Sequence, residues 1–164
     1  MSMMDIEKFR IHALQRSSEN KKFLKKLRSK NEKKLDENFH RSHETVFQHL
    51  DCLTCANCCK TTSPIFYKND MERLARHFGL KPGKFIENFL KIDEDGDYVL
   101  KSSPCPFLQE DHHCSVYSVR PKACREYPHT QRKKMYQVLD LAYKNTLICP
   151  AVLEMVEMLK KETW

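Results

Sequence analysis

The eight cysteines of this chain form one patterned series that begins at residue 52. They are Cys52, Cys55, Cys58, Cys59, Cys105, Cys114, Cys124 and Cys149. Two residues separate Cys52 from Cys55, and two separate Cys55 from Cys58. This spacing lets a tight turn direct two thiolates at the same metal ion. Scattered buried cysteines or disulfides would not recur at this interval. The spacing therefore predicts metal binding.

The identity of the metal remains open between iron and zinc. The Cys-x2-Cys-x2-Cys run matches the start of the bacterial ferredoxin pattern, although its fourth cysteine is displaced. Two Cys-Pro pairs, at 105–106 and 149–150, are similar to the pair that ends that pattern. Zinc ribbons use two paired knuckles, whereas Cys105, Cys114 and Cys124 stand singly. We therefore favour iron, as an ion or an iron–sulfur cluster, with an irregular zinc site as the alternative.

The number of cysteines does not fix the number of metal centres. Eight thiols could fill two four-cysteine centres, or one centre with four further thiols. Neighbouring side chains on an extended backbone point to opposite faces, so Cys58 and Cys59 are not expected to serve one compact centre. His112, His113 and His129 lie near cysteines in the sequence. We expect them as ligands less than the cysteines, because histidines in loops are more often exposed to solvent.

The residues around the later cysteines suit an anionic centre. A metal ion held by four thiolates carries negative charge, and Cys124 is flanked by cations that would compensate it. These cations are Arg120, Lys122 and Arg125. Cys149 precedes Pro150, where a helix is expected to begin, so the helix dipole should lower the pKa of this thiol.

Composition excludes several other classes of protein. With only three glycines in 164 residues, neither a dinucleotide-binding fingerprint nor a phosphate-binding loop can be assembled. No apolar run approaches the roughly 20 residues of a membrane-spanning helix. The chain opens on Met1-Ser-Met-Met without a secretory pattern, so we expect a cytoplasmic protein whose thiols stay reduced.

The positive charge is concentrated near the beginning of the chain. Residues 19–34 carry +6 of the formal net charge of +7, and apolar residues recur there at helical spacing. We expect a long helix over residues 18–50, preceded by a shorter one over residues 5–16. The lysines of residues 19–34 are not interleaved with arginine and aromatic residues, as they would be on a nucleic-acid surface. Nucleic acid is therefore not expected as a partner. A protein partner could bind this helix.

Short helices and one hairpin are predicted for the rest of the chain. One helix should begin at Asn69 or Asp70 and stop at Gly79, and the next should begin at Pro82. Residues 91–101 are typical of a hairpin, and a last helix should begin at Pro150. The predicted fold is mainly α with a small β-hairpin: a basic helical extension over 1–50 and a compact cysteine-rich, metal-centred domain over 51–164.

Several motifs together resemble a known family. Cys-x2-Cys-x2-Cys-Cys is followed by Cys-Pro-Phe-Leu at 105–108, by Cys-x-Val-Tyr-x2-Arg-Pro-x2-Cys-Arg-x-Tyr-Pro at 114–128, and by a late Cys-Pro. This series is similar to that of the YkgJ-type cysteine-cluster family of zinc- or iron-chelating domains, over about residues 52–150. The resemblance implies that all eight cysteines form the chelating set, with Arg120-Pro121 and Tyr127-Pro128 as scaffold.

The predicted function is metal binding through cysteine thiolates, with a redox or metal-handling role. The series also resembles, more distantly, that of the flagellin lysine N-methylase, which makes a metal-cluster-dependent, methyltransferase-like enzyme one alternative. A zinc-stabilised adaptor or nucleic-acid-binding module is another. The sequence does not decide whether the protein is an enzyme.

Overall fold

The computed structural model describes residues 5–164, so the first four residues of the predicted extension lie outside it. The fold is mainly helical with one two-stranded hairpin, as predicted. Its helices are α1 (Ile6–Leu27), α2 (Glu32–Phe47), α3 (Cys52–Cys55), α4 (Asn57–Thr61), α5 (Lys68–His77), α6 (Pro82–Phe89), α7 (Lys122–Glu126), α8 (Leu139–Thr146) and α9 (Pro150–Leu159). Its strands are β1 (Leu90–Ile92) and β2 (Tyr98–Leu100).

The chain divides into two compact units. Unit 1 combines the residues up to Cys52 with Pro128–Trp164, and unit 2 is Leu53–Tyr127. Unit 1 contains α1, α2, α8 and α9, while unit 2 contains α4 to α7 and the hairpin. No helix in the described part of the chain is long and apolar enough to cross a membrane.

Unit 1 is built on the helical stripe seen in the sequence. The stripe steps by about 3.6 residues from Leu24 to Leu50. Its apolar positions Leu24, Leu27, Leu35, Phe39 and Val46 are buried, and Leu50 is half-buried. The lysines between them on α1 are exposed. The stripe therefore faces the core and the charges face solvent, as expected for an amphipathic helix.

The predicted break between the first two helices is in the wrong place. We expected a break near Ser17, but α1 continues through it and ends at Leu27. The Ser17 hydroxyl lies 2.8 Å from the Tyr143 hydroxyl and does not cap a helix. The break comes later, where the Asn31 side chain accepts a hydrogen bond from the Lys34 amide at 3.0 Å and caps α2. A long N-terminal helix is thus present, with different ends.

Unit 2 packs α5 and α6 against the hairpin around a core rich in phenylalanine. Its buried residues are Phe66, Met71, Leu74, Ala75, Phe85, Leu90, Leu100, Phe107 and Val116. Pro82 begins α6 as predicted. The predicted start of α5 is wrong by a few residues, because Asp70 lies in the first turn and its carboxylate accepts a hydrogen bond from the Tyr67 amide at 3.1 Å.

The hairpin was predicted correctly, and it lies in the chain between Cys59 and Cys105. Leu90 pairs with Leu100, and Ile92 with Tyr98. Gly96 adopts a φ of +85° in the turn, a conformation that glycine accepts without strain. The strand that follows the turn leads directly to Cys105.

The last helix begins at Pro150, as predicted. Its inward-facing residues Val152, Leu153, Val156 and Leu159 are buried, also as predicted. Cys149 occupies the position immediately before its first turn.

Candidate metal centre

The first cysteines lie on two short helices. Cys52 and Cys55 begin and end α3, and Cys58 and Cys59 lie on α4. Ala56 separates these helices in a left-handed conformation with a φ of +49°. The extended backbone that we assumed for Cys58 and Cys59 is wrong, because both lie on α4, where adjoining residues project about 100° apart. This geometry allows the Cys58 thiol to hydrogen-bond the Cys59 sulfur. That the two thiols serve different centres stays a prediction.

A loop brings two sequence-distant cysteines to Cys59. The Cys105 amide donates a hydrogen bond to the Cys59 carbonyl at 2.8 Å. Beyond it, Leu108 and Cys114 form an antiparallel bridge, and the Ser115 amide donates to the Phe107 carbonyl at 2.8 Å. The loop therefore folds back on itself and places Cys105 and Cys114 next to α4.

An ion pair between the half-buried Arg73 and the buried Asp70 anchors the segment that carries Cys124. Arg73 donates hydrogen bonds to the Asp70 carboxylate at 2.6 Å and to the carbonyls of Val119 and Arg120 at 3.1 and 2.9 Å. The Asp70 carboxylate also accepts from the Lys122 amide at 3.0 Å. Asp70 is only 2 % exposed. These bonds fix the start of α7, on which Cys124 lies. This role of Asp70 and Arg73 was not predicted from the sequence.

Four thiols of unit 2 interact with one another in every pair. They are Cys59, Cys105, Cys114 and Cys124. Burial is the main cause that raises the pKa of Cys105 to about 11 and that of Cys124 to about 12, and it also raises the pKa of Cys114. The negative charges of the other thiolates in the set raise these pKa values further. Electrostatic coupling of this kind requires the groups to lie near one another.

Cys59 differs from the other three because its thiolate is stabilised. A hydrogen bond from the Cys58 thiol lowers the pKa of Cys59 to about 7, and the Lys60 ammonium contributes to the same effect. More of this thiol is therefore ionised at neutral pH than of an ordinary cysteine, and the thiolate is the form that binds metal. The effect of Lys60 was not predicted from the sequence, although its position directly after Cys59 could have indicated it.

The thiols are not yet arranged as the ligands of an ion. Within residues 5–164, no group of three or more His, Cys, Asp or Glu side chains lies close enough together to hold a metal ion. Binding would have to draw the sulfurs together from the separations of this conformation. The donor chemistry nevertheless fits zinc and iron, because soft thiolates are the ligands that both metals take in four-cysteine sites.

The remaining predicted ligands have different environments. Cys55 is buried, which raises the pKa of its thiol, and the charge of Cys59 acts in the same direction. Cys52 is exposed and Cys149 is buried, both in unit 1. Ligation of metal by Cys52, Cys55, Cys58 and Cys149 stays a prediction of the sequence.

The histidines and cations near the cysteines have partners of their own. The Lys60 ammonium lies 2.9 Å from the His112 Nε2, and His113 lies 3.3 Å from the Asp111 carboxylate. Arg120 lowers the pKa of Cys114 and Cys124, so this cation does offset the charge of the thiolates, as the sequence analysis expected.

The fold and the thiols together define a helical cysteine-cluster domain. Residues 51–146 match a family model, CxxCxxCC, described as a "putative zinc- or iron-chelating domain". This match spans more than half of the chain, and the protein belongs to that family. It is the family that the sequence motifs indicated. No significant match was found among curated proteins or among solved structures.

Proposed function

We propose that unit 2 binds iron or zinc through a four-thiolate centre. Its ligands are Cys59, Cys105, Cys114 and Cys124. The observation that carries the proposal is that the charges of these four thiols are coupled in every pair. Four is the number of ligands that zinc and iron–sulfur sites use. Membership of a family of zinc- or iron-chelating domains supports metal binding in general.

The cations around the four thiols support an anionic centre. A divalent ion with four thiolates carries a net charge of about −2. Lys60 lowers the pKa of Cys59, and Arg120 lowers that of Cys114 and Cys124. These side chains stabilise the ionised thiols and would stabilise the loaded centre by the same interaction.

Iron is our preferred metal, and the role we propose is redox or metal handling in a reducing compartment. This preference comes from the sequence, where the run Cys52, Cys55 and Cys58 is similar to the start of the ferredoxin pattern. The four proposed ligands lie outside that run, and their chemistry suits iron and zinc equally. In a reducing compartment the thiols remain available as ligands and do not form disulfides.

Elemental analysis tests this proposal. Protein purified without oxygen should contain stoichiometric iron, and acid-labile sulfide if the iron forms a cluster. Stoichiometric zinc without sulfide would support the centre and correct the choice of metal. Metal far below one equivalent in protein that is folded and fully reduced would contradict the proposal.

The affinity for metal should rise with pH, and the slope should change near pH 7. Each thiol loses its proton when it binds metal, so protons compete with the metal. Cys105 and Cys124 have pKa values of about 11 and 12, so each releases a proton when metal binds anywhere in the neutral range. Cys59 has a pKa of about 7 and releases a proton on metal binding only below that pH, because it is already ionised above it. A plot of log affinity against pH should therefore lose about one unit of slope above pH 7.

Zinc competition against a chelator of known affinity, from about pH 5.5 to 8.5, measures this slope. Cys58→Ala should move the change in slope to higher pH, because it removes the hydrogen bond that stabilises the Cys59 thiolate. An unchanged slope across the whole range would contradict the assignment of Cys59 as a ligand that ionises near pH 7.

A further inference from the structure

A basic cleft of about 310 Å³ opens beside the segment that carries Cys124. Its lining residues, all in unit 2, are Tyr67, Asn69, Asp70, Arg73, Lys122 and Arg125. Lys122 and Arg125 are three residues apart and so lie on one side of α7. The helical rotation directs the intervening Cys124 away from that side. The cleft is therefore a separate feature from the thiol centre, although both use α7.

The only carboxylate in the cleft lining is already compensated. Asp70 accepts hydrogen bonds from the Arg73 guanidinium at 2.6 Å and from the amides of Tyr67 and Lys122 at 3.1 and 3.0 Å. Arg73 in turn directs its other donors to backbone carbonyls. Asp70 and Arg73 together carry no net charge, so the Asp70 carboxylate does not offset the charges of Lys122 and Arg125.

The other two cations of the lining, Lys122 and Arg125, can still donate hydrogen bonds to a ligand. Lys122 is exposed, and its ammonium lies 3.6 Å from the Glu126 carboxylate, a loose ion pair on the surface. Arg125 is also exposed, and its guanidinium makes no ion pair or hydrogen bond within the described part of the chain. Tyr67 is 54 % exposed and adds a hydroxyl, and Asn69 adds an amide. The cleft thus combines two cations with neutral hydrogen-bond donors.

We propose that this cleft binds a small dianion that carries oxyanion groups, either a phosphate or a dicarboxylate. Two positive charges match a charge of −2, and the planar guanidinium of Arg125 donates two parallel hydrogen bonds to such a group. The volume of about 310 Å³ suits a small molecule. The proposal does not rest on the metal centre, because none of the lining residues is a proposed metal ligand.

Calorimetric titration of the full-length protein at fixed ionic strength tests the cleft, with inorganic phosphate and succinate as probes. We expect saturable binding of at least one probe, and the stronger of the two identifies the oxyanion. Arg125→Gln should weaken that binding about tenfold, because it removes a charged hydrogen-bond donor. Tyr67→Phe should weaken it less and in the same direction.

Arg76→Gln is the matched control, because Arg76 is exposed on α5 outside the cleft and the substitution changes the charge equally. It should leave the affinity within about twofold. The proposal is overturned if neither probe saturates, if Arg125→Gln has no effect, or if both arginine variants weaken binding equally. Metal content measured on the same samples separates this outcome from failure of the metal centre.

Discussion

Replacing Cys59 with serine is expected to lower the affinity for metal by at least about 100-fold. Structural zinc sites bind with about 10–16 kcal/mol, which is about 3 kcal/mol for each of four ligands. Serine keeps the size and polarity of the side chain but does not ionise at neutral pH. Cys124→Ser should have a similar effect, because Cys124 belongs to the same coupled set. Competition titrations with zinc, and with iron under anaerobic conditions, measure both losses.

Ser102→Ala is the control for these variants. Ser102 is exposed and lies three residues before Cys105. This variant should bind metal like the unaltered protein. If Cys59→Ser and Cys124→Ser also kept the full affinity, the centre would have to use other cysteines of the series, and the proposed ligand set would be wrong.

Removing the metal should lower the melting temperature of unit 2 by about 15–30 °C. A ligand present at about 1,000 times its Kd stabilises the native state by about 4 kcal/mol, and each kcal/mol moves the melting temperature of a domain of this size by about 4–8 °C. Unit 2 runs from Leu53 to Tyr127 and holds Cys59, Cys105, Cys114 and Cys124 on separate segments. A bound metal would link these segments, so its loss should release them together.

Circular dichroism melts before and after chelation measure this shift, and hydrogen exchange locates it. Amides of residues 53–127 should lose protection on chelation. The only tryptophan, Trp164, packs against Phe23 in unit 1, with ring centroids 6.3 Å apart, and its fluorescence follows that unit separately. Zinc should restore the melting temperature, whereas magnesium, which prefers oxygen ligands, should not. An unchanged melting temperature and unchanged exchange in metal-depleted protein would contradict a structural role for the metal.

Elements with strong local signals were predictable from the sequence. Pro82 and Pro150 each begin a helix, because proline suits the first helical turn and is excluded from the interior. The hairpin followed from a strand pair around Gly96. The buried stripe from Leu24 to Val46 followed from helical periodicity. In each case a few neighbouring residues determine the conformation.

Features that depend on choices between local alternatives were missed. Polar residues occur both at Ser17 and at Arg28–Asn31, and either group could end a helix. Only the second group ends a helix in the structure, because Asn31 caps α2 there. Ser17 lies inside α1, and its hydroxyl has a distant partner in the Tyr143 hydroxyl. The helical conformation of Cys58 and Cys59 was missed for the same reason, since a run of five residues carries little periodicity.

The membership of the coupled thiol set could not be read from spacing. Spacing singled out the run from Cys52 to Cys58, but the four mutually coupled thiols are Cys59 and three isolated cysteines later in the chain. Their proximity depends on long-range bonds, such as that between the Cys105 amide and the Cys59 carbonyl. The anchoring of α7 by Asp70 and Arg73 is also long-range.

X-ray absorption at the metal edge of the anaerobically purified protein tests the central claim most directly. A centre of four thiolates predicts a first shell of about four sulfur atoms at about 2.3 Å from the metal. The same measurement on Cys59→Ser should show fewer sulfur atoms in that shell. A first shell made of oxygen or nitrogen atoms at about 2.0–2.2 Å, without sulfur, would contradict thiolate binding by this chain.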